Sequence, residues 1–262
     1  MKPWLKIALS ALASIAFILL LVILNAKSRE MRREATCQKL KVTIIDSAYL
    51  GFVNKNDIKQ IIDREYGIYT GQRLDSVNLR KIEKILEKKT SILKGEAYTT
   101  RDGVLHILIA QREPIIRFKT NNGGYYSDEK GYIFPLHKDY KASVRSIEGN
   151  VPLDVPEGYK GEAKTKAEKK WLYGALELIN YINSHDFWNK GIKDIAVGED
   201  GDIFLKPRSG TEKFVLGKPE DIEKKFRKIE DYYKYIAPSK EEGYYSYVNV
   251  KYDGQIICRR TE

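Results

Sequence analysis

Three histidines, one acidic turn and one basic strand are the groups in this chain whose type and spacing invite a chemical reading. His106 lies inside VLHILIA, and His137 and His185 stand near element ends. None belongs to a metal-ligand or triad motif, so each is read as a structural histidine. GEDGD (Gly198–Asp202) looks superficially like a calcium loop, but the EF-hand spacing and its closing glutamate are missing. Asp200-Gly201 between IAV and IFL is explained by a hairpin turn that needs positive φ. NNGG (Asn121–Gly124) lacks the lysine and serine or threonine of a phosphate loop. Neither G-x-S-x-G nor H-E-x-x-H occurs. No catalytic residue, metal ligand or cofactor site is therefore expected; no nucleophile, base and orienting group can be assembled.

The stretch YYSYVNVKYDGQIICRRTE offers something else. It reads as two strands around a two-residue Asp253-Gly254 turn. That turn sets Tyr252 against Gln255, Lys251 against Ile256, Val250 against Ile257, Asn249 against Cys258 and Val248 against Arg259. Because side chains alternate along a strand, Val248, Val250, Tyr252 and Ile257 are expected on the core face, with Lys251, Ile256 and Cys258 on the other. The outer edge of Gln255–Arg260 is left free for strand addition, in which main-chain hydrogen bonds supply affinity and alternate side chains supply specificity. Arg259 and Arg260 suit an acidic partner segment. Ile256→Pro is expected to disturb this edge without harming the core.

The elements that must carry this edge can be followed along the chain. Of its 262 residues 42% are hydrophobic and 31% charged, with a net charge of +10. Lysine and glutamate interleave along most of it, so a solvated surface accounts for much of that charge. KIEDYYKYIAPSK mixes aromatic and basic residues, but helical spacing puts Phe226 and Tyr233 in a core, and no nucleic-acid partner is expected. Cys37 and Cys258 lie almost at opposite ends, outside any Cys/His motif, and are read as free thiols. Ile7–Leu24 carries no charge over about 18 residues. It leaves through NAKSREMRRE without a signal-peptidase-like site, so it is read as an uncleaved anchor contacting membrane lipid. Lys27, Arg29, Arg32 and Arg33 after it outnumber Lys2 and Lys6 before it. That count favours a cytoplasmic C-terminal part, although long domains often cross regardless of flanking charge.

The predicted organisation is a short tail (1–6), the transmembrane helix (7–24), a basic linker (25–38), a first folded domain (39–113) and a second (114–262). In the first, KLKVTII is a strand. NKNDIKQIIDREYG is a helix capped by Asn54 or Asn56 and stopped at Gly67. DSVNLRKIEKILEKKTSI is a helix starting at Asp75 or Ser76, and GEAYTT and VLHILIAQ are strands joined through Arg101-Asp102-Gly103. Pro114 marks a boundary, since it cannot donate into a sheet ladder. The second domain reads as a mostly antiparallel sheet with two packed helices. One carries Trp171, Leu172, Ala175, Leu176, Ile179 and Ile182; the other has Pro219 in its first turn and Ile222, Phe226, Ile229, Tyr233 and Ile236 as its stripe. The fold class is α+β.

These segments together resemble the FtsQ/DivIB bacterial cell-division proteins. NLRKIEKILEKKTSILKGEAYTTRDGVLHILIAQREPIIRF is similar to the end of their POTRA domain, with the exit at Arg112, Glu113 and Pro114. YYSDEKGYIF is similar to the hairpin opening their β domain, and FVLGKPEDIEKKF and YVNVKYDGQIICRR resemble its last helix and closing strands. The chain departs from many members at Leu93-Lys94, and from some at Cys258, Arg259 and Arg260, where an aromatic stands. The resemblance implies a non-catalytic divisome scaffold in the cytoplasmic membrane at the septum, with its N-terminus cytoplasmic and its β domain periplasmic. It implies that the β domain binds FtsB/DivIC-like and FtsL-like proteins and links them to septal peptidoglycan synthesis. The POTRA-like domain is then a surface for other divisome components. On this reading the partner-binding residues are Lys218, near an acidic partner residue, with Lys251, Tyr252, Gln255, Ile256, Ile257, Cys258, Arg259 and Arg260. A membrane-anchored envelope enzyme acting on cell-wall material is the alternative. An outer-membrane assembly factor would normally carry several POTRA units or a barrel.

Overall fold

A computed structural model describes residues 12, 14–27, 35–45, 48, 50–89, 91–120 and 123–261. The chain divides into two compact units, Met1–Gln111 and Arg112–Glu262. Residues 12 and 14–27 are helical. The large apolar side chains of this helix, from Leu12 to Leu24, are each at least 50% exposed. Among the described residues no helix is long and apolar enough to cross a membrane. Positions 7–11 and 13 of the expected span, the tail before it and linker residues 28–34 lie outside the described residues.

The rest of the first unit runs β1 (Lys39–Ile44), α1 (Lys55–Glu65), α2 (Leu79–Glu87), β2 (Ile92–Thr100), β3 (Val104–Gln111). Asn54 caps α1 by accepting from the backbone N–H groups of Asn56 and Asp57, and Asp57 returns the bond to the Asn54 N–H. Helix α2 starts later than its sequence suggests. Leu74–Ser76 forms a separate 3-10 turn, and Asn78, not Asp75 or Ser76, caps the helix through a bond from the Lys81 N–H. The sheet order is β1-β3-β2, with β1 parallel and β2 antiparallel to the central strand. Strand β3 alternates strictly, turning Leu105, Ile107 and Ile109 onto Ile58, Ile62, Ile82, Ile85 and Leu86 of the two helices. Burial of each such side chain contributes about 1.5–3 kcal/mol. Gln111 continues the inward face and uses its amide as a latch, donating to the Leu50 carbonyl and accepting from the Val53 N–H.

The second unit is one ten-stranded sheet. Its strands are β4 (Pro114–Thr120), β5 (Gly123–Asp128), β6 (Tyr132–Pro135), β7 (Arg145–Gly149), β8 (Gly161–Glu162), β9 (Ile192–Val197), β10 (Ile203–Pro207), β11 (Lys213–Gly217), β12 (Tyr245–Asn249) and β13 (Ile257–Arg260). They lie in the order β13-β12-β11-β10-β9-β7-β4-β5-β6-β8. The β4–β7, β7–β9 and β11–β12 pairs are parallel and the others antiparallel. Pro114 opens β4, an interior strand of this sheet. That place tolerates it because it is the first residue of the strand and sits beside a register shift.

Helix α3 (Lys166–Ser184) is capped by Thr165 and Glu168 in a reciprocal box. A short helix absent from the sequence reading, α4 (Asp186–Gly191), follows it. Helix α5 (Ile222–Asp231) begins three residues after Pro219, which therefore precedes the helix instead of opening it. Its stripe is shorter than expected. Ile222, Phe226 and Ile229 are buried, whereas Tyr233 and Ile236 lie on a single π turn, Tyr232–Ile236, and are half-buried. Trp171, Leu172, Leu176 and Ile179 of α3 join the α5 stripe over Phe118, Ile147, Ile195, Leu205 and Phe214 of the sheet.

Gly174 is the contact between α3 and the segment leading into α5, since a Cβ there would overlap the Pro219 carbonyl oxygen. That neighbour is backbone and yields only by moving α5. Gly174→Ala is expected to cost the second unit about 1–3 kcal/mol. A lowered urea midpoint with unchanged slope checks this.

Candidate functional site

Two groups of the expected site residues come together at one end of the large sheet. The first is built on a turn. Asp200 and Gly201 bend β9 into β10, with Gly201 at φ 74°, the Gly201 N–H bonded to the Gly198 carbonyl and the Gly198 N–H to the Asp202 carbonyl. Trp171 Nε1 of α3 donates to the Gly201 carbonyl at 3.3 Å. The turn delivers Asp202 into the protein, its side chain 8% exposed.

Two lysines converge on that carboxylate. Lys251 Nζ lies 2.9 Å from Oδ2 and Lys218 Nζ 3.4 Å from Oδ1. Lys218 also donates to the Asp200 carbonyl. Gly217 makes the approach possible. It holds φ 77°, and a Cβ on it would stand 2.7 Å from Lys251 Cβ. Lys225 and Lys228 of α5 extend the cluster to backbone oxygens. Lys225 donates to the Lys218 carbonyl at 2.8 Å, and Lys228 to the carbonyls of Val250 and Tyr252. Burial pushes the Asp202 carboxyl up, but the hydrogen bonds and charges of Lys251 and Lys218 together outweigh it and hold the group below its ordinary range. Lys251 is correspondingly raised, first by its hydrogen bond to Asp202. Burial draws Lys225 down.

The second group is β13 itself, at one end of the sheet order and paired with β12 alone among the described strands. Its register is one residue away from the expected one. Cys258 faces Val248, Ile257 faces Asn249, Arg259 faces Tyr247 and Arg260 faces Tyr245, with an irregularity between Tyr245 and Tyr247. The connection is correspondingly longer than a two-residue turn, spanning residues 250–256. Asp253-Gly254 turns within it, Gly254 at φ 68°. The cause is that Val250 leaves the hairpin ladder and gives its N–H to the Val215 carbonyl of β11. Lys251 then turns to Asp202.

A one-residue slip exchanges the faces of a strand. Ile256 and Cys258, expected outside, pack against the core, while Ile257, expected inside, is 44% exposed and Tyr252 45%. Val248 and Val250 are buried as their pattern requires. Ile256→Pro thus strikes a core-packed residue and does not isolate the edge. Gln255, Arg259 and Arg260 are exposed. Arg259 stands over the Tyr247 ring at 4.9 Å, Arg260 over Tyr244 at 5.3 Å and Lys251 over Tyr252 at 5.1 Å.

The histidines lie elsewhere. His106 stacks on Tyr98 and contacts Thr100, His137 accepts from the Asp139 N–H, and His185 lies against the Tyr181 carbonyl. Cys37 is buried and Cys258 half-buried, and both are free thiols.

A compact β-α-α-β-β unit and, after it in the chain, a mixed sheet ending in β13 and β8 make an architecture built in two parts. Residues 35–110 match the POTRA-like domain family, and residues 113–259 match the family described as FtsQ/DivIB, C-terminal related. The second match covers more than half of the chain, which therefore belongs to that family of division proteins, and its role is division-related. No curated protein matches the chain.

The depressed Asp202 carboxyl gives a pH signature. Its contribution is fully present above the ordinary carboxylate range and is lost as the pH falls through the lower folded value. Asp202→Asn is expected to destabilise the second unit by about 1–3 kcal/mol at neutral pH. The gap from wild type should close on acidification below pH ~4. Denaturant titrations of both proteins across that interval check the sign.

Proposed function

We propose that this chain is a single-pass, non-catalytic division scaffold whose sheet edge at β13 accepts a strand from an FtsB/DivIC-like partner, with an FtsL-like protein in the same complex. In this reading residues 1–6 are cytoplasmic, 7–24 anchor the chain in the cytoplasmic membrane and 25–38 link the anchor to the folded part. Residues 39–113 form the POTRA-like domain, and 114–262 the periplasmic β domain that connects division-complex assembly to septal peptidoglycan synthesis. The observation that carries the reading is β13, a four-residue outermost strand with exposed arginines at positions 259 and 260. Its outer main-chain groups are available as a template. Lys218, Lys251, Tyr252, Gln255 and Ile257 flank the edge as specificity contacts, whereas Ile256 and Cys258 support it from the core side. The at least half-exposed leucine, isoleucine and valine side chains of the N-terminal helix support the anchor, because so much apolar surface on one helix calls for a nonpolar medium.

Strand addition makes a demand that side-chain docking does not. With the full-length protein in nanodiscs, the partner's extracytoplasmic segment should slow amide hydrogen exchange within Ile257–Arg260. The double substitution Arg259→Glu/Arg260→Glu should weaken binding by roughly tenfold or more. Binding without added protection at these amides overturns strand addition. A reporter fused after Glu262 that is active in the cytoplasm overturns the topology.

A further inference from the structure

Away from the Asp202 cluster, an open groove of about 890 Å³ runs along the second unit between α4, the β10–β11 connection, the π turn and the segment entering β12. Its walls are aromatic: Trp188, Phe214, Tyr232, Tyr233, Tyr244 and Tyr245. Phe214 meets Tyr232 and Tyr233 edge-on at 5.5 and 5.6 Å, and Tyr244 meets Tyr245 at 4.8 Å with perpendicular rings.

One carboxylate lies among these rings. Glu212 is only 7% exposed and lines the groove. Its Oε1 accepts from the Tyr233 hydroxyl at 2.8 Å. The side chain folds over Gly210, whose φ of 96° and lack of a Cβ leave room for the carboxylate. No cation pairs with Glu212 among the described residues. A buried carboxylate is ordinarily paired with a charge or held by several donors.

The lining carries four carboxylates, Asp186, Glu212, Glu241 and Glu242, against three cations, Lys190, Arg208 and Lys240. Lys190 pairs with Asp186 at 2.7 Å, Arg208 donates to the Lys190 carbonyl at 3.1 Å, and Lys240 stands over the Tyr244 ring at 5.2 Å, as Arg260 does at 5.3 Å. Glu241 and Glu242, both exposed, have no ion pair among the described residues. A chain of net charge +10 therefore carries a local acidic site walled by π faces. Ring faces and a buried carboxylate both favour a cation, and a planar guanidinium uses both together, stacking on the rings while donating two parallel bonds to the carboxylate.

We propose that this groove is a docking site for an arginine side chain carried on an extended segment of a partner protein, with Glu212 as its counter-charge and Tyr233, Tyr244 and Tyr245 as its walls. The volume exceeds what one side chain fills, which leaves room for the flanking backbone. The site shares the Tyr244 ring with Arg260 of β13, 5.3 Å from that ring, but does not require main-chain pairing at that strand.

The test uses the full-length protein in nanodiscs with its tyrosine rings isotopically labelled, titrated with an eight-residue glycine–serine peptide bearing one central arginine. The expected result is saturable shifts at Tyr232, Tyr233, Tyr244 and Tyr245. They should vanish when citrulline, uncharged and nearly isosteric, replaces arginine. Glu212→Gln, which still offers Tyr233 an acceptor, should weaken binding at least tenfold. Tyr244→Leu, which removes a rim ring without touching Glu212, should weaken it at least threefold and serves if the first variant does not fold. Absence of saturable shifts, equal binding of the citrulline peptide, or unchanged affinity in either folded variant overturns the proposal.

Discussion

The arrangement at the open edge hangs on one buried carboxylate. Asp202 is delivered by the turn between two antiparallel strands, and it is held by one lysine that follows β11 and another that follows β12. Those strands are parallel and share only three register pairs, Lys213 with Tyr247, Phe214 with Val248 and Val215 with Asn249. So short a parallel ladder specifies position weakly. The carboxylate supplies what the ladder lacks, because it fixes the exit of β11 against the exit of β12. Its desolvation is offset by two cations still partly open to water, so the pair does not carry the full penalty of a dry ion pair. Lys225 and Lys228 then tie α5 to the same two exits through backbone oxygens, joining the helix layer to the sheet at the place where the edge begins.

The register of β13 follows from this. A free Asp-Gly hairpin would close as a two-residue turn, because type I′ geometry matches strand twist. Here Val250 bonds across to Val215 and Lys251 is drawn to Asp202, so both are withdrawn from the hairpin. The loop lengthens and the partner strand shifts by one. Local turn chemistry and a tertiary ion pair compete, and the ion pair takes precedence together with the burial of Val248 and Val250.

This competition separates what was legible in the sequence from what was not. Element existence was readable wherever a period was long or a cap was explicit. Leu105, Ile107 and Ile109 alternate, Asn54 stands before its helix, and Gly201 follows Asp200 between apolar runs. The edge residues Arg259 and Arg260 were readable because little stands between them and solvent. The face assignment of Ile256, Ile257 and Cys258 was not, since it depends on a contact between positions 202 and 251, 49 residues apart. Glu212 escaped for a related reason. It occupies an ordinary loop spacing, SGTEKF, and its burial beside Tyr233 in the groove appears only in the folded chain. Pro114 stands just after the division between the two units and still opens an interior strand, because a strand's first residue at a register shift escapes the usual exclusion of proline from sheet interiors.

The two ends of the large sheet treat the edge problem differently. At one end β8 is only two residues long, Gly161–Glu162, and too short to template another strand. At the other, β13 offers four residues guarded by Arg259 and Arg260. A charge that merely guards an edge stays fully hydrated, as a lysine does when it points straight into water. These arginines instead lie over Tyr247 and Tyr244, so part of their hydration is already exchanged for ring faces and their guanidiniums are held in place. A cation fixed in that way repels a random apolar strand as a guard does. Toward an acidic segment it acts as a pre-positioned contact that loses less conformational entropy on docking than a free side chain. Under the proposed strand addition, the same two residues would exclude indiscriminate pairing and select for one charge class of partner, which is what would distinguish an edge kept open from an edge closed off.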